Sequence, residues 1–211
     1  MKDIIRMVSP AHPNAILRVI PGHFITSHSH INYYVDTTFT TARESESRAI
    51  ASLLARNYSS DTIVDSIVCM DGCSVIGAYM AEELTKSGII SMNSHKTIYI
   101  VRPEVRDGQV IFRDNQQPMV KNKNCLLIAT KATTGESISN AARNIEHYGG
   151  RLVGVSAIFS NISKVMGLPV HSIFDQRDLP DYASYEPSDC PMCKNREKVD
   201  ALVNSYGYSE L

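Results

Sequence analysis

The chain has 211 residues, 43% of them hydrophobic and 20% charged, with a formal net charge of −1. That hydrophobic share supports a folded core and excludes disorder as the main state. The balanced charge excludes the basic footprint of a general nucleic-acid binder and a polybasic membrane anchor. No run approaches the roughly 18 apolar residues of a membrane span. The N-terminus, Met1-Lys2-Asp3-Ile4-Ile5-Arg6, has no signal-peptide core. Cysteines stand at 69, 73, 125, 190 and 193. An odd count in apolar or loop-edge segments fits a reducing compartment, so a cytoplasmic protein is expected.

The first 40 residues carry Pro10, Pro13 and Pro21 and show little regular periodicity. They are expected to form an N-terminal hood. Ala42 to Asn57 reads as a helix, with Ile50, Leu53, Leu54 and Asn57 recurring at helical spacing. Arg43, Glu44, Glu46 and Arg48 fall on its expected wet side. Ile63 to Met70 reads as a buried strand, Val75 to Lys86 as a helix, and Thr97 to Arg102 as a second strand. From Arg102 to Asn124 the alternation breaks. Asp107-Gly108 and Asp114-Asn115 are turn signals, and Val110-Ile111-Phe112 suits one arm of a hairpin; a long loop is the alternative. Cys125 to Ala129 reads as a strand, Ser139 to His147 as a helix, Leu152 to Phe159 as a strand and Val170 to Phe174 as another. Strands separated by helices predict an α/β fold, a single parallel-sheet core flanked by helices. The core is expected over residues 41–175, with a C-terminal wrap over 176–211, all in one structural domain.

Cys125 to Ser137 runs from an apolar strand through Thr133-Thr134-Gly135 into an amphipathic helix. A helix start offers free N–H groups and the positive end of the helix dipole, which favour an anion. Gly135 lets the backbone approach a ligand. Thr133 and Glu136 also have the spacing of a capping box, which needs no ligand. Both readings stand at this point.

These residues are similar to the phosphoribosyl-pyrophosphate motif of type I phosphoribosyltransferases. Other segments resemble orotate phosphoribosyltransferases in particular and follow in the same order: Gly22 to Asp36, Ile67 to Cys73, Arg102-Pro-Glu-Val-Arg106, and Asp189-Cys-Pro-Met-Cys193. The resemblance implies a type I phosphoribosyltransferase-like core. It also implies transfer of a phosphoribosyl group from phosphoribosyl pyrophosphate to a nitrogenous base, with Mg²⁺ when transfer occurs. Thr133, Thr134, Gly135, Glu136 and Ser137 are the implied phosphate cradle. Asp71, Gly72, Cys73 and Arg102 are the implied pyrophosphate side, and Arg106 is the implied catalytic cation. Ala129 and Thr130 fall on the ribose side, where the family carries two acids. Thr26 and Asn161 fall on the base side, where orotate enzymes carry a Lys and an Arg. A phosphorylated sugar or nucleotide is the expected small-molecule partner, and a homodimer is implied.

The departures have consequences. Hydrogen bonds to charged groups contribute about 1.5–3 kcal/mol each, so losing both acids removes roughly 3–6 kcal/mol of complementarity to the ribose hydroxyls. Without the base-side cations an orotate carboxylate lacks charge partners, so altered base specificity toward a neutral base is expected. A non-catalytic phosphoribosyl- or nucleotide-binding regulatory module on the same fold is the alternative. Cys190 and Cys193 have the spacing of half a zinc site, and no second pair is apparent in sequence. They read as a tight turn with two packed thiols, and zinc is not expected. His23, His28 and His30 read as ordinary loop histidines.

Overall fold

The computed structural model describes residues 3–86, 92–94, 97–106, 109–204 and 206–211. Met1, Lys2 and the expected Asp107-Gly108 turn lie outside the described residues. In chain order the strands and α-helices are β1 (Ile5–Val8), β2 (Ile16–Ile25), β3 (His30–Asp36), α1 (Thr38–Ala42), α2 (Glu44–Ala55), β4 (Ser66–Cys69), α3 (Ser74–Lys86), β5 (Tyr99–Val101), β6 (Glu104–Arg106), β7 (Gln109–Ile111), β8 (Asn124–Ala132), α4 (Glu136–His147), β9 (Arg151–Ser160), β10 (Lys164–Val165), β11 (Leu168–Asp175), β12 (Ser184–Tyr185), α5 (Pro191–Lys194), β13 (Ala201–Asn204) and β14 (Gly207–Glu210). No helix among the described residues is long and apolar enough to cross a membrane.

The central sheet has the order β10-β11-β9-β8-β4-β5. Strands β11, β9, β8, β4 and β5 are parallel, and β10 closes one edge antiparallel. Side chains alternate across it as strand geometry requires. Ile67, Leu126 and Ile128 pack into one buried cluster with Ile50 and Leu54 of α2 and Ile76 and Met80 of α3. Val68, Leu127 and Val155 pack into another with Ile138, Ala141, Ala142 and Ile145 of α4. Gly154 lets Tyr58 lie against the sheet: a Cβ there would sit 2.4 Å from the Tyr58 ring. The Tyr58 hydroxyl donates to the Val155 carbonyl at 3.0 Å.

The terminal segments are more regular than their sequence suggests. They form a second sheet of order β12-β3-β2-β13-β14, with β1 on β2. Pro21 is tolerated in β2 because the β2–β3 register shifts between Pro21 and Phe24, at a bulge. Leu17, Val19 and Phe24 of this sheet join the cluster under α2 and α3. Glu46 also departs from expectation. It is 1% exposed and takes two 2.7 Å hydrogen bonds from Arg18 of β2. The expected hairpin exists as the antiparallel pair β6–β7.

All five cysteines are free thiols. Burial pushes Tyr58 and Tyr182 up to about 12, and Cys69 and Cys125 up to about 12. A folded-state value raised above the unfolded one gives stability that is complete below the unfolded value and is lost as pH rises toward the folded one. Each such group contributes on the order of 2 kcal/mol. Melting midpoints are therefore expected to hold steady to about pH 9 and fall steeply toward pH 12. A flat alkaline limb in calorimetric scans would contradict this.

Candidate functional site

In an open parallel sheet, ligands bind beyond the carboxyl ends of the strands where the strand order reverses. Here β4 lies between β5 and β8: the chain leaves β4 toward β5, then crosses back to β8 on the other side. Beyond the end of β4, Asp71 and Gly72 both adopt left-handed φ values, 49° and 79°. Beside them β8 runs on through Thr130 and Lys131. A cavity of about 710 Å³ opens here, lined among others by Asp71, Gly72, Lys131 and Arg102, with Tyr34 and Tyr206 from the second-sheet side.

The cavity wall carries two opposite charges, Asp71 and Lys131, that act on each other through space without a direct ion pair. The Asp71 carboxyl group lies close enough to Thr130 for that residue to favour its charged form. Burial pushes its pKa up, while the Lys131 charge and the neighbouring Thr130 oppose that shift. Burial pushes Lys131 down from the usual lysine value, opposed by Asp71 and Asp36. The Lys131 ammonium donates to the Val35 carbonyl at 3.4 Å and sits 5.2 Å from the Tyr34 ring centroid. Ala129 and Thr130 are themselves buried. Asp71, beyond the end of the neighbouring β4, is a carboxylate lining the cavity beside these positions.

Beyond β8, α4 opens with Gly135 in the left-handed conformation, φ 82°, and no side chain caps the helix. The Thr133–Glu136 capping box does not form. Thr133 is half-buried near Tyr182, and Thr134, Glu136 and Ser137 are exposed. A Cβ at Gly135 would meet only the tip of the Ile162 side chain, at 2.8 Å, so it is the left-handed conformation that favours glycine here. The start of α4 is therefore left with its first-turn amides free of side-chain caps, the condition an anion site needs. These cradle residues do not line the 710 Å³ cavity; Lys131, two positions before Thr133, does.

No protein-family profile matches the chain. The chain is 23% identical over 189 residues to an orotate phosphoribosyltransferase of Chlorobium phaeobacteroides, covering 87% of this chain and 88% of that one. A solved phosphoribosyltransferase from Corynebacterium diphtheriae superposes with a TM-score of 0.53 at 21% identity, covering 77% of this chain and 90% of that one. The Mycobacterium tuberculosis orotate phosphoribosyltransferase in complex with phosphoribosyl pyrophosphate gives 0.50 at 18% identity, covering 70% and 83%. The fold is that of the type I phosphoribosyltransferases.

On this phosphoribosyltransferase fold the remaining expected site residues are dispersed. Cys73 is buried, and desolvation raises its thiol well above the usual value, so it faces the core. Arg102 is exposed at the cavity, whereas Arg106 is exposed on the β6–β7 ribbon and does not line it. Thr26 is consumed by the β2–β3 turn: its hydroxyl donates to the Ser29 carbonyl at 2.9 Å and accepts the Ser29 N–H at 2.8 Å. Asn161 donates its backbone N–H to Ala132, and its side-chain Oδ1 is buried with no hydrogen-bond partner. Lys131 is not among the site residues expected from the sequence, yet it lines the cavity. Tyr34 and Tyr206 were missed because they reach the cavity from the second-sheet side.

Proposed function

We propose that this protein is an orotate phosphoribosyltransferase-like enzyme that transfers a phosphoribosyl group to a neutral nitrogenous base rather than to orotate. The observation that carries this reading is the uncapped, glycine-started N-terminus of α4 at the carboxyl edge of the sheet, next to the switch-point cavity. The pyrophosphate end is assigned to Asp71, Gly72, Arg102 and Lys131, and the sugar phosphate to residues 133–137. Neither Asn161 nor Thr26 offers a cation for a carboxylate, which favours a neutral base. Asp71, at the cavity wall, would accept a ribose hydroxyl. Such sites lower the barrier by positioning and by stabilising developing charge. Cytoplasmic homodimers belong to the same proposal.

Mg²⁺ in phosphate sites is held by one or two carboxylates together with substrate oxygens. Among the described cavity-lining residues the carboxylates are Asp71 and Glu104. The Asp71 charge is already countered by the Lys131 ammonium, while Glu104 is paired with Arg113 at 2.6 Å. This donor set does not fit a protein-held Mg²⁺, and no step is assigned to one.

One observation favours a second reading, a non-catalytic phosphoribosyl sensor: the family's acid pair is replaced by the buried Ala129 and Thr130. Calorimetry with phosphoribosyl pyrophosphate, followed by pyrophosphate-release assays across orotate and neutral bases, separates the two. Release with a neutral base and none with orotate is expected. Binding without release favours the sensor, and absence of binding rejects both.

A further inference from the structure

Four side chains from opposite ends of the chain converge outside the cleft. His23 lies at the β2 bulge, His30 opens β3, Cys190 precedes the single turn of α5, and Cys193 lies within it. One ligand-type atom from each falls within 4.8 Å of every other. His23 and His30 are buried strand residues, not loop histidines, and they supply the second pair that spacing alone did not show.

We propose that His23, His30, Cys190 and Cys193 form a structural Zn²⁺ site. Zinc takes tetrahedral N and S ligands at about 2.0–2.1 and 2.3 Å, which places ligand atoms about 3.4 Å apart for N···N and about 3.6 Å for N···S. The structure gives 3.1 Å between His23 Nε2 and His30 Nδ1, and 3.7 and 3.6 Å from His23 Nε2 to the sulfurs of Cys190 and Cys193. Cys193 Sγ lies 3.2 Å from His30 Nδ1. The outer contact fits as well. His23 Nδ1 lies 3.1 Å from the Glu197 carbonyl, an acceptor only, so Nδ1 carries the proton and Nε2 presents its lone pair to the centre.

Four protein ligands leave no open position, so the site is a clip and not a catalytic centre. It joins the β2–β3 hairpin to the segment just before β13. A second clamp lies beside it, since Asp200 takes the His23 N–H at 2.8 Å through its carboxylate and returns its own N–H to the His23 carbonyl at 2.8 Å. After β13 the chain supplies Tyr206 and Gly207 to the cavity wall, so metal here fixes that wall in place.

The test uses the full chain purified without chelators. About one zinc per chain is expected by elemental analysis. Replacing it with Co²⁺ should give the intense visible bands of a tetrahedral ion together with a thiolate-to-cobalt charge-transfer band. Cys193→Ser and His30→Ala should each abolish that band, and a strong chelator should lower the melting midpoint by about 5–10 °C. A folded wild-type protein that takes up no zinc, or binds Co²⁺ without a thiolate band, overturns the site. If either variant fails to fold, the wild-type cobalt spectrum alone decides.

Discussion

Replacing Glu46 with Ala is expected to destabilise the fold by about 3–5 kcal/mol, because it strands a buried guanidinium. Arg18 is 5% exposed and Glu46 1% exposed, and two 2.7 Å hydrogen bonds join them fork to fork. The hydrogen bond to Glu46 is the main reason that the Arg18 pKa is raised. Asp36, which faces Arg18 across the β2–β3 ladder, and the Phe39 ring at 4.9 Å remain after the substitution. They place the loss toward the lower end of the range. Replacing both partners, Arg18→Met with Glu46→Leu, removes the desolvation penalty together with the attraction and should recover most of the loss. Urea unfolding midpoints measure all three variants. A single-variant loss under about 1 kcal/mol would show that the pair is solvated in solution.

The same pair shows where sequence reading stops. Helical spacing put Glu46 on the wet side of α2 beside Glu44 and Arg48, and for those two the assignment holds, since they pair at the surface at 2.7 Å. Nothing in the local pattern distinguishes Glu46; its burial is favourable chiefly because Arg18, far earlier in the chain, holds it, with Arg43 adding a looser 3.6 Å contact. The central sheet was legible for the opposite reason. Apolar runs such as Ile67-Val68 and Leu126-Leu127 supply side chains to both faces, and such runs between helices leave few alternatives. The second sheet was not legible, because its strands come from both ends of the chain and β2 carries a proline and a bulge. The candidate site divides in the same way. Thr133 to Ser137 are contiguous and visible as a strand–turn–helix pattern. The Asp71–Thr130–Lys131 arrangement depends on β4 lying beside β8, and the histidine–cysteine cluster depends on two termini meeting.

Lys131→Met is expected to weaken phosphoribosyl pyrophosphate binding about 10- to 150-fold, the worth of one charged hydrogen bond. Asp71→Asn should behave differently toward two halves of that ligand. It removes a negative charge beside the cavity, so inorganic pyrophosphate should bind more tightly. It also removes the acceptor assigned to the ribose, so ribose 5-phosphate should bind more weakly. Loss of both affinities would show that Asp71 only supports the loop. The stability of these variants is a second, independent readout. Burial raises Asp71, so its charged form carries a cost that grows as pH rises through its folded value; burial lowers Lys131, so its charged form carries a cost that grows as pH falls. Near neutral pH both costs apply, and the attraction between the two groups offsets them. Lys131→Met leaves Asp71 without its countercharge and Asp71→Asn leaves Lys131 with only Asp36, whereas the double variant leaves neither charge. A denaturant cycle should therefore find the double variant more stable than the sum of the single losses, by about 1–3 kcal/mol. Additive losses would mean that the two charges are separately solvated, and the cleft would then be open to water at Lys131.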